Sequence, residues 1–210
     1  MRKCRITTVH VLAIVGFCSV AHSHTLTFDD VPSGTFLHDT FYMDTYRVAF
    51  DSLFQAADHS ASSWGLPHSG SNVLVWAGSG SALELGGRIL FGYYTAEYAE
   101  PDDVQSVDAY FSTDTGVMVR ITAYRGIAPG TSVVVGSVVI GSPGESWDNR
   151  PVEISFPEGP FDRLDFEGVN YPEELLSLCA DDMTVVPVPE PCSLLALAAG
   201  LGALALRRRR

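Results

Sequence analysis

The feature that most constrains the fold of this chain is a series of short runs in which apolar and polar residues alternate. Residues 104–113 place Val107, Ala109 and Phe111 among polar neighbours, and residues 117–124 alternate in the same way. A period of two puts the apolar side chains on one face of a strand, where they can pack against a second layer. Clusters of Gly, Pro, Ser and Asp separate these runs, so we predict an all-β fold, a β-sandwich or jelly roll.

The pattern predicts eleven strands and almost no helix. One helical turn is expected at Pro172–Leu178, and Trp76 is expected in the core because it lies in an apolar strand. The predicted strands are Thr25–Phe28, Tyr46–Phe50, Val73–Trp76, Ala82–Leu85, Arg88–Tyr94, Val104–Thr113, Val117–Tyr124, Val133–Ile140, Pro151–Phe156, Phe161–Val169 and Asp182–Val186.

Charge is distributed very unevenly along the 210 residues. All 25 acidic residues lie between residues 24 and 190, together with only six of the 13 basic residues, so this body carries a net charge of −19 and contains no lysine. Such a surface repels nucleic acid, which excludes DNA and RNA as partners. It suits hard cations such as calcium, although acidity also simply keeps an exported protein in solution.

The first 23 residues have the pattern of a secretory signal peptide. Arg2, Lys3 and Arg5 form a positive start, residues 9–20 are apolar, and small residues such as Ala21 and Ser23 fit a cleavage site. Of the four cysteines, Cys179 and Cys192 remain after such cleavage, so the fold is not expected to depend on disulfides. We therefore predict an exported protein whose body forms its core without cross-links.

The last two dozen residues combine a proline motif, an apolar run and a basic cluster. Val188-Pro189-Glu190-Pro191 is followed by 14 uncharged residues, 193–206. As a helix this run would span roughly 21 Å, which is short of the ~30 Å hydrocarbon core, and it would be a marginal transmembrane helix alone. The chain ends in a cluster that predicts a cytoplasmic membrane stop, Arg207, Arg208, Arg209 and Arg210.

This order of motif, apolar run and arginines resembles the PEP-CTERM sorting signal. The resemblance covers residues 187–210 and implies that Pro189, Glu190 and Pro191 are recognised by an exosortase-type membrane transpeptidase. It also implies residence in the inner membrane before processing, then location at the cell surface or in the matrix, with a link to exopolysaccharide and biofilm. The alternative is an ordinary C-terminal membrane anchor. The predicted organisation is 1–23 signal peptide, 24–186 β-sandwich domain and 187–210 sorting signal.

The body resembles jelly-roll domains that are similar to carbohydrate-binding modules. The residues that carry this resemblance are Thr27-Phe28-Asp29-Asp30, the 104–111 strand and the run 181–185. First and last strands are commonly neighbours in such folds, so antiparallel pairing would bring Asp29, Asp30, Asp181 and Asp182 together. The resemblance implies a structural calcium ion there. Alternatively, these aspartates are ordinary turn residues.

Two tryptophans are candidate contacts for a sugar ring. Trp64 and Trp147 are flanked by small or polar residues, which predicts that both lie in loops. Sugar rings stack on indole faces while neighbouring polar groups bind the hydroxyls. A loop tryptophan also commonly folds back onto the core, which is the alternative for each of them.

Three functions are compatible with these features. The first is a non-catalytic module that binds carbohydrate or exopolysaccharide, and the second is a structural matrix protein without a ligand. The third is an enzyme acting on polysaccharide, but no nucleophile elbow or zinc-protease motif is present in the sequence. A copper site formed by an N-terminal histidine, His22 or His24, and a second histidine is a further alternative, although nothing in the sequence fixes the second ligand.

Overall fold

The computed structural model describes residues 22–37, 40–51, 54–58, 67–78, 87–94, 99–126, 131–169 and 176–189. They belong to a compact unit, His22–Val188, and include Pro189 beyond it. The predicted signal peptide up to Ala21, Trp64, and the predicted sorting signal from Glu190 onward lie outside the described residues. Among the residues that are described, no helix has the length and apolar character needed to cross a membrane.

Twelve strands and one short helix account for the regular structure of the described part of the chain. The strands are β1 His24–Leu26, β2 Val48–Phe50, β3 Phe54–Asp58, β4 Asn72–Gly78, β5 Gly87–Tyr94, β6 Ala99–Pro101, β7 Val104–Thr113, β8 Val119–Arg125, β9 Val133–Ile140, β10 Trp147–Ile154, β11 Arg163–Gly168 and β12 Leu176–Pro187. The helix is α1, Thr40–Tyr46.

The strands form two antiparallel sheets of six strands each. Sheet A has the order β10-β7-β12-β4-β3, with β1 also paired to β12. Sheet B has the order β2-β5-β11-β8-β9, with β6 also paired to β5. One continuous core joins them: Phe54 and Trp76 of sheet A contact Phe166 of sheet B, with ring centroids 5.3 and 6.2 Å apart. The chain is therefore a β-sandwich, and the all-β prediction is confirmed.

The alternation in the sequence explains which side of each strand is buried. In β7, Val107, Ala109 and Phe111 are 1–2% exposed and pack into the core. The residues between them, Asp108 and Tyr110, are half-buried on the outer face of sheet A. Trp76 is 1% exposed, as predicted. In β7 the binary pattern therefore separates an inner from an outer face, whereas residues 72–76 of β4 are all buried.

Several secondary-structure elements were missed or predicted wrongly. Helix α1 was missed because its sequence, TFYMDTY, is rich in aromatic and β-branched residues; tertiary packing of Tyr42, which is 1% exposed, overrides that preference. Strand β3 was also missed. Residues 176–178 are strand and not helical turn, because they pair with β4. The predicted strand Ala82–Leu85 lies outside the described residues.

The last strand does not begin at the second acidic pair. Asp181 and Asp182 lie in the middle of β12, where the register against β7 shifts between Asp181 and Thr184. Asp182 has a φ of 46°, so the strand accommodates the extra residue as a bulge. The expected pairing of first and last strands is present, because β1 runs antiparallel to β12 with Leu26 opposite Met183.

Candidate functional site: a groove on the outer face of sheet A

A groove of about 700 Å³ lies on the outer face of sheet A. Four strands, β10, β7, β12 and β1, place four side chains directly opposite one another across its floor. Glu153 is opposite Asp108, Asp108 is opposite Thr184, and Thr184 is opposite Thr25. The last two hydroxyl oxygens are 2.7 Å apart. The result is a row of hydrogen-bonding groups about four strands wide.

A stacked pair of rings forms a second row in the groove. Tyr110, two residues along β7 from Asp108, stacks on His68 with ring centroids 3.5 Å apart and an angle of 11°. Pro151 of β10 is directly opposite Tyr110 and also lines the groove. The two rows therefore combine flat apolar surface with polar groups.

Asp182 holds the histidine in this stack. Its Oδ2 is 2.6 Å from Nδ1 of His68, and its Oδ1 accepts a hydrogen bond of 2.5 Å from the hydroxyl of Ser69. A carboxylate can only accept, so His68 donates from Nδ1, and Nε2 of the neutral ring can accept a hydrogen bond from a hydroxyl. The bulge in β12 thus supplies the side chain that orients the ring.

The loop that carries His68 is fixed from both sides by the two predicted acidic pairs. On one side, Asp181 accepts a 2.9 Å hydrogen bond from the backbone N–H of Ser69. On the other side, Asp29 Oδ1 accepts 2.9 Å hydrogen bonds from the backbone N–H groups of Ser71 and Asn72. Asp30 accepts a hydrogen bond from the hydroxyl of Tyr46, at 3.1 Å.

These hydrogen bonds bear directly on the predicted calcium ion. Asp181 also accepts from the backbone N–H of Asp182, so each of its oxygens has a donor, as does each oxygen of Asp182. Within the described ranges, no three His, Cys, Asp or Glu side chains are close enough to share a metal ion. This arrangement does not fit calcium, because hydrogen-bond donors occupy the carboxylate oxygens that would bind the cation. Calcium binding there stays a prediction from the sequence.

The electrostatics of the groove are acidic. Its described lining contains three carboxylates, Asp108, Glu153 and Asp182, and no lysine or arginine. Burial, together with the facing charge of Glu153, raises the pKa of Asp108 above the ordinary value of an aspartate. Burial also raises the pKa of Asp181, which is 1% exposed beneath the loop. Such a surface disfavours anionic ligands and suits neutral, hydroxyl-rich ones.

Trp147 does not line this groove. It is the first residue of β10 and not part of a loop, and its ring is partly buried against the core. The guanidinium of Arg150 lies over the ring, 5.0 Å from the centroid. The indole thus packs against the core and against Arg150, and its role in sugar binding stays a prediction.

The copper site considered above stays a prediction, because only some of the histidines are described. His24 stacks on Tyr46, with centroids 5.6 Å apart, and burial lowers its pKa. His68 is bonded to Asp182, and His38 and His59 lie outside the described residues. Sequence reasoning also missed Tyr110, Asp108 and Glu153; their outward position in alternating strands was the available signal, but no sequence feature showed which strands are neighbours.

Comparisons with known proteins add little to this site. No protein-family model and no curated protein matches the chain. Among solved structures, the chain is similar to the K2 cleaved adhesin domain of Lys-gingipain (Kgp), with 16% identity and a TM-score of 0.47 over 78% of this chain and 97% of that domain. A likeness at this level supports no statement about function.

Proposed function

We propose that this chain is a non-catalytic carbohydrate-binding module of the cell surface or extracellular matrix, with a jelly-roll body that binds a neutral polysaccharide in the groove of sheet A. The observation that carries the proposal is the pairing of two rows in one groove. The row of Tyr110, His68 and Pro151 offers flat surface, and the row of carboxylates and threonines offers acceptors and donors for hydroxyl groups. Ligand sites commonly combine apolar surface with a few placed polar groups in this way.

The charge of the groove narrows the ligand class. Three carboxylates with no lysine or arginine in the described lining would repel polyuronates and sulfated polymers, while they accept hydrogen bonds well from neutral hydroxyls. An open groove on a sheet face also suits an extended chain more than a single sugar. The proposed ligand is therefore an uncharged exopolysaccharide.

The test of this proposal uses the unit 22–188, whose described core lies entirely within it. Binding is measured by affinity electrophoresis against neutral glucans, xylans and mannans, against a polyuronate, and against the host's own exopolymer, each with calcium and with chelator. We expect saturable binding to a neutral polymer that is lost in Tyr110→Ala and unaffected by chelation. Binding to none of the polymers would favour the purely structural alternative, and new chain ends in the recovered polymer would indicate an enzyme.

We further propose that residues 187–210 hold the exported chain in the membrane and direct its processing by an exosortase-type transpeptidase. The support is the sequence order of Val188-Pro189-Glu190-Pro191, apolar run and Arg207–Arg210. The motif also begins where the last strand ends: β12 stops at Pro187, the N–H of Val188 donates to the carbonyl of Asp103 at 2.9 Å, and Pro189 is exposed. Replacing Pro189 and Pro191 with alanine should leave the protein in the membrane fraction, and unchanged release to the surface would contradict this.

A further inference from the structure

The edge strand of sheet B, β9, differs from what isolated proteins usually place at a sheet edge. Its sequence, VVVGSVVI, contains no charged residue and no proline. Among the described strands it pairs only with β8. Val133, Val134 and Val139 are 64%, 57% and 38% exposed. Natural sheet edges are commonly protected by charges, proline or very short strands, because an open edge can pair with another chain.

Strand β10, which forms an edge of sheet A, shows such protection. It contains Asp148, Arg150, Pro151 and Glu153 within eight residues, and its register shifts between Trp147 and Arg150. The other end of sheet B is β2, which has only three residues. Of these three edge strands, only β9 lacks such protection.

Two of the three exposed valines of β9, Val134 and Val139, lie on the outer face of sheet B, whereas Val133 lies opposite Arg125. The register places Val139 opposite Arg120, Ser137 opposite Thr122 and Val134 opposite Tyr124, all on the outer side of β8. A bulge at Val135 brings Val134 to the same face as Val139, because it shifts the pairing by one residue. Residues 136–140 remain in regular register and offer a straight edge for pairing.

The distribution of charge indicates which partner this edge accepts. The body is strongly acidic, so two copies repel each other over most of their surface. The outer side of β5, β11 and β8 is the exception, because it carries three arginines against two acidic residues. All five form ion pairs, which are Arg88–Asp165, Arg163–Asp165 and Arg120–Glu167. A basic partner would prefer the acidic groove instead. The charges beside β9 are nearly balanced, so a second copy meets less repulsion there than over the rest of the surface.

We propose that the chain self-associates through β9, which pairs antiparallel with β9 of a second copy and joins two B sheets into one. A twofold axis perpendicular to the sheet keeps Val134 and Val139 of both copies on the same face, where they form one apolar strip. The contact is one strand wide and buries less surface than a stable interface requires, so the association is weak and depends on concentration. It leaves the groove of sheet A open.

The test is sedimentation velocity of the unit 22–188 over a micromolar to millimolar range. The weight-average mass should rise from monomer towards dimer with concentration. Val134→Lys should weaken association roughly tenfold or more, because a charge at the edge opposes strand addition. Thr115→Lys, which places the same charge in an exposed turn, is the matched control and should leave association unchanged.

Two further arms keep the proposal open to refutation. Val139→Lys serves as a second variant, and thermal melting confirms that each variant is folded. Added salt should strengthen association, because it screens the repulsion between two acidic bodies. A monomer at every concentration, association that survives both valine variants, or association that weakens with salt would each overturn the β9 contact. These outcomes do not depend on whether the groove binds a glycan.

Discussion

The two outer faces of the sandwich place charged residues directly opposite each other in contrasting ways. On sheet A, Asp108 faces Glu153, two like charges on neighbouring strands. On sheet B, Arg120 faces Glu167 and Arg88 faces Asp165, opposite charges with nitrogen–oxygen distances of 3.2 Å in each pair. Directly opposed charges thus destabilise sheet A at one position and stabilise sheet B at two positions.

This difference fits the proposal that a ligand has shaped the groove of sheet A, whereas folding alone accounts for the face of sheet B. Like charges at directly opposed positions destabilise a sheet, so their presence in a groove beside a stacked ring pair calls for a reason outside the fold. The ion-paired face of sheet B needs no such reason. Local features that oppose folding are most often found at functional sites, which supports the assignment of the groove.

The largest expected effect tests whether the groove loop depends on its anchoring aspartate. Gly70 has a φ of 58°, and a Cβ there would lie 1.6 Å from Oδ2 of Asp29. Gly70→Ala should therefore lower the free energy of unfolding by roughly 2–4 kcal/mol, since it strains the backbone and displaces a carboxylate that accepts two backbone hydrogen bonds. Urea denaturation measures this change.

The matched control is Gly116→Ala, at a φ of 79° with nothing within 4 Å of the added carbon. It should lower the same free energy by about 1 kcal/mol through backbone strain alone. Equal losses of unfolding free energy in the two variants would show that displacing the Asp29 carboxylate does not weaken the loop.

The second prediction concerns pH and the buried Asp181. Burial raises the pKa of this carboxyl in the folded protein, so the folded state holds its proton more tightly than the unfolded chain does. The resulting stabilisation is complete below the ordinary aspartate pKa of about 3.8 and is lost as pH rises through the raised value.

The stability of the parent relative to Asp181→Asn should therefore decrease, on the order of 1 kcal/mol, as pH rises from acid towards neutral. Chemical denaturation of both proteins at a series of pH values gives the difference directly. A difference that stays constant with pH, or grows as pH rises, would contradict a raised pKa at this position.

The third prediction removes the like-charge contact on sheet A. Glu153→Gln should raise the free energy of unfolding at neutral pH by about 0.2–1 kcal/mol, because Asp108 then faces a neutral partner. The raised pKa of Asp108 should also fall towards its ordinary value, which NMR titration of the carboxyl carbon can follow. A loss of stability in this variant would mean that the two carboxylates are not in conflict.

The smallest effect is expected on sheet B. Arg120 and Glu167 are 42% and 62% exposed, so solvent screens their attraction. A double-mutant cycle with Arg120→Ala and Glu167→Ala should give a coupling energy of about 0.2–0.5 kcal/mol. A coupling energy above about 1 kcal/mol would contradict the contrast between the outer face of sheet A and that of sheet B.

Alternation in the sequence was sufficient to predict the β-sandwich, and the apolar strand around Trp76 was sufficient to predict its core position. It could not predict α1, because a short segment rich in aromatic residues takes its conformation from tertiary packing. It could not predict β3 either, because the sequence FQAAD contains one aromatic and no β-branched residue. The acidic pairs were correctly brought to one region, since β1 and β12 are neighbours. Their role differs from the expected one, because the loop between them supplies hydrogen-bond donors that no sequence pattern revealed.

The groove itself depends on contacts that are distant in sequence. His68 and Tyr110 meet only because β12 lies beside β7 and carries a bulge at Asp182. A bulge of this kind has no signature in residues 181–185 that distinguishes it from a regular strand. The tryptophans were chosen as sugar contacts by residue type alone. Tyr110 and His68 became candidates because the fold places them in the groove.

The central claim, that the outer face of sheet A binds polysaccharide, is tested most directly by amide hydrogen exchange on both faces. Exchange of the unit 22–188 is measured with and without a saturating amount of the neutral polymer that binds best. The account predicts slower exchange around Asp108–Tyr110, Asp182–Thr184 and the 67–72 loop, with β8 and β11 unchanged. Protection confined to sheet B, or to none of these segments, would contradict it.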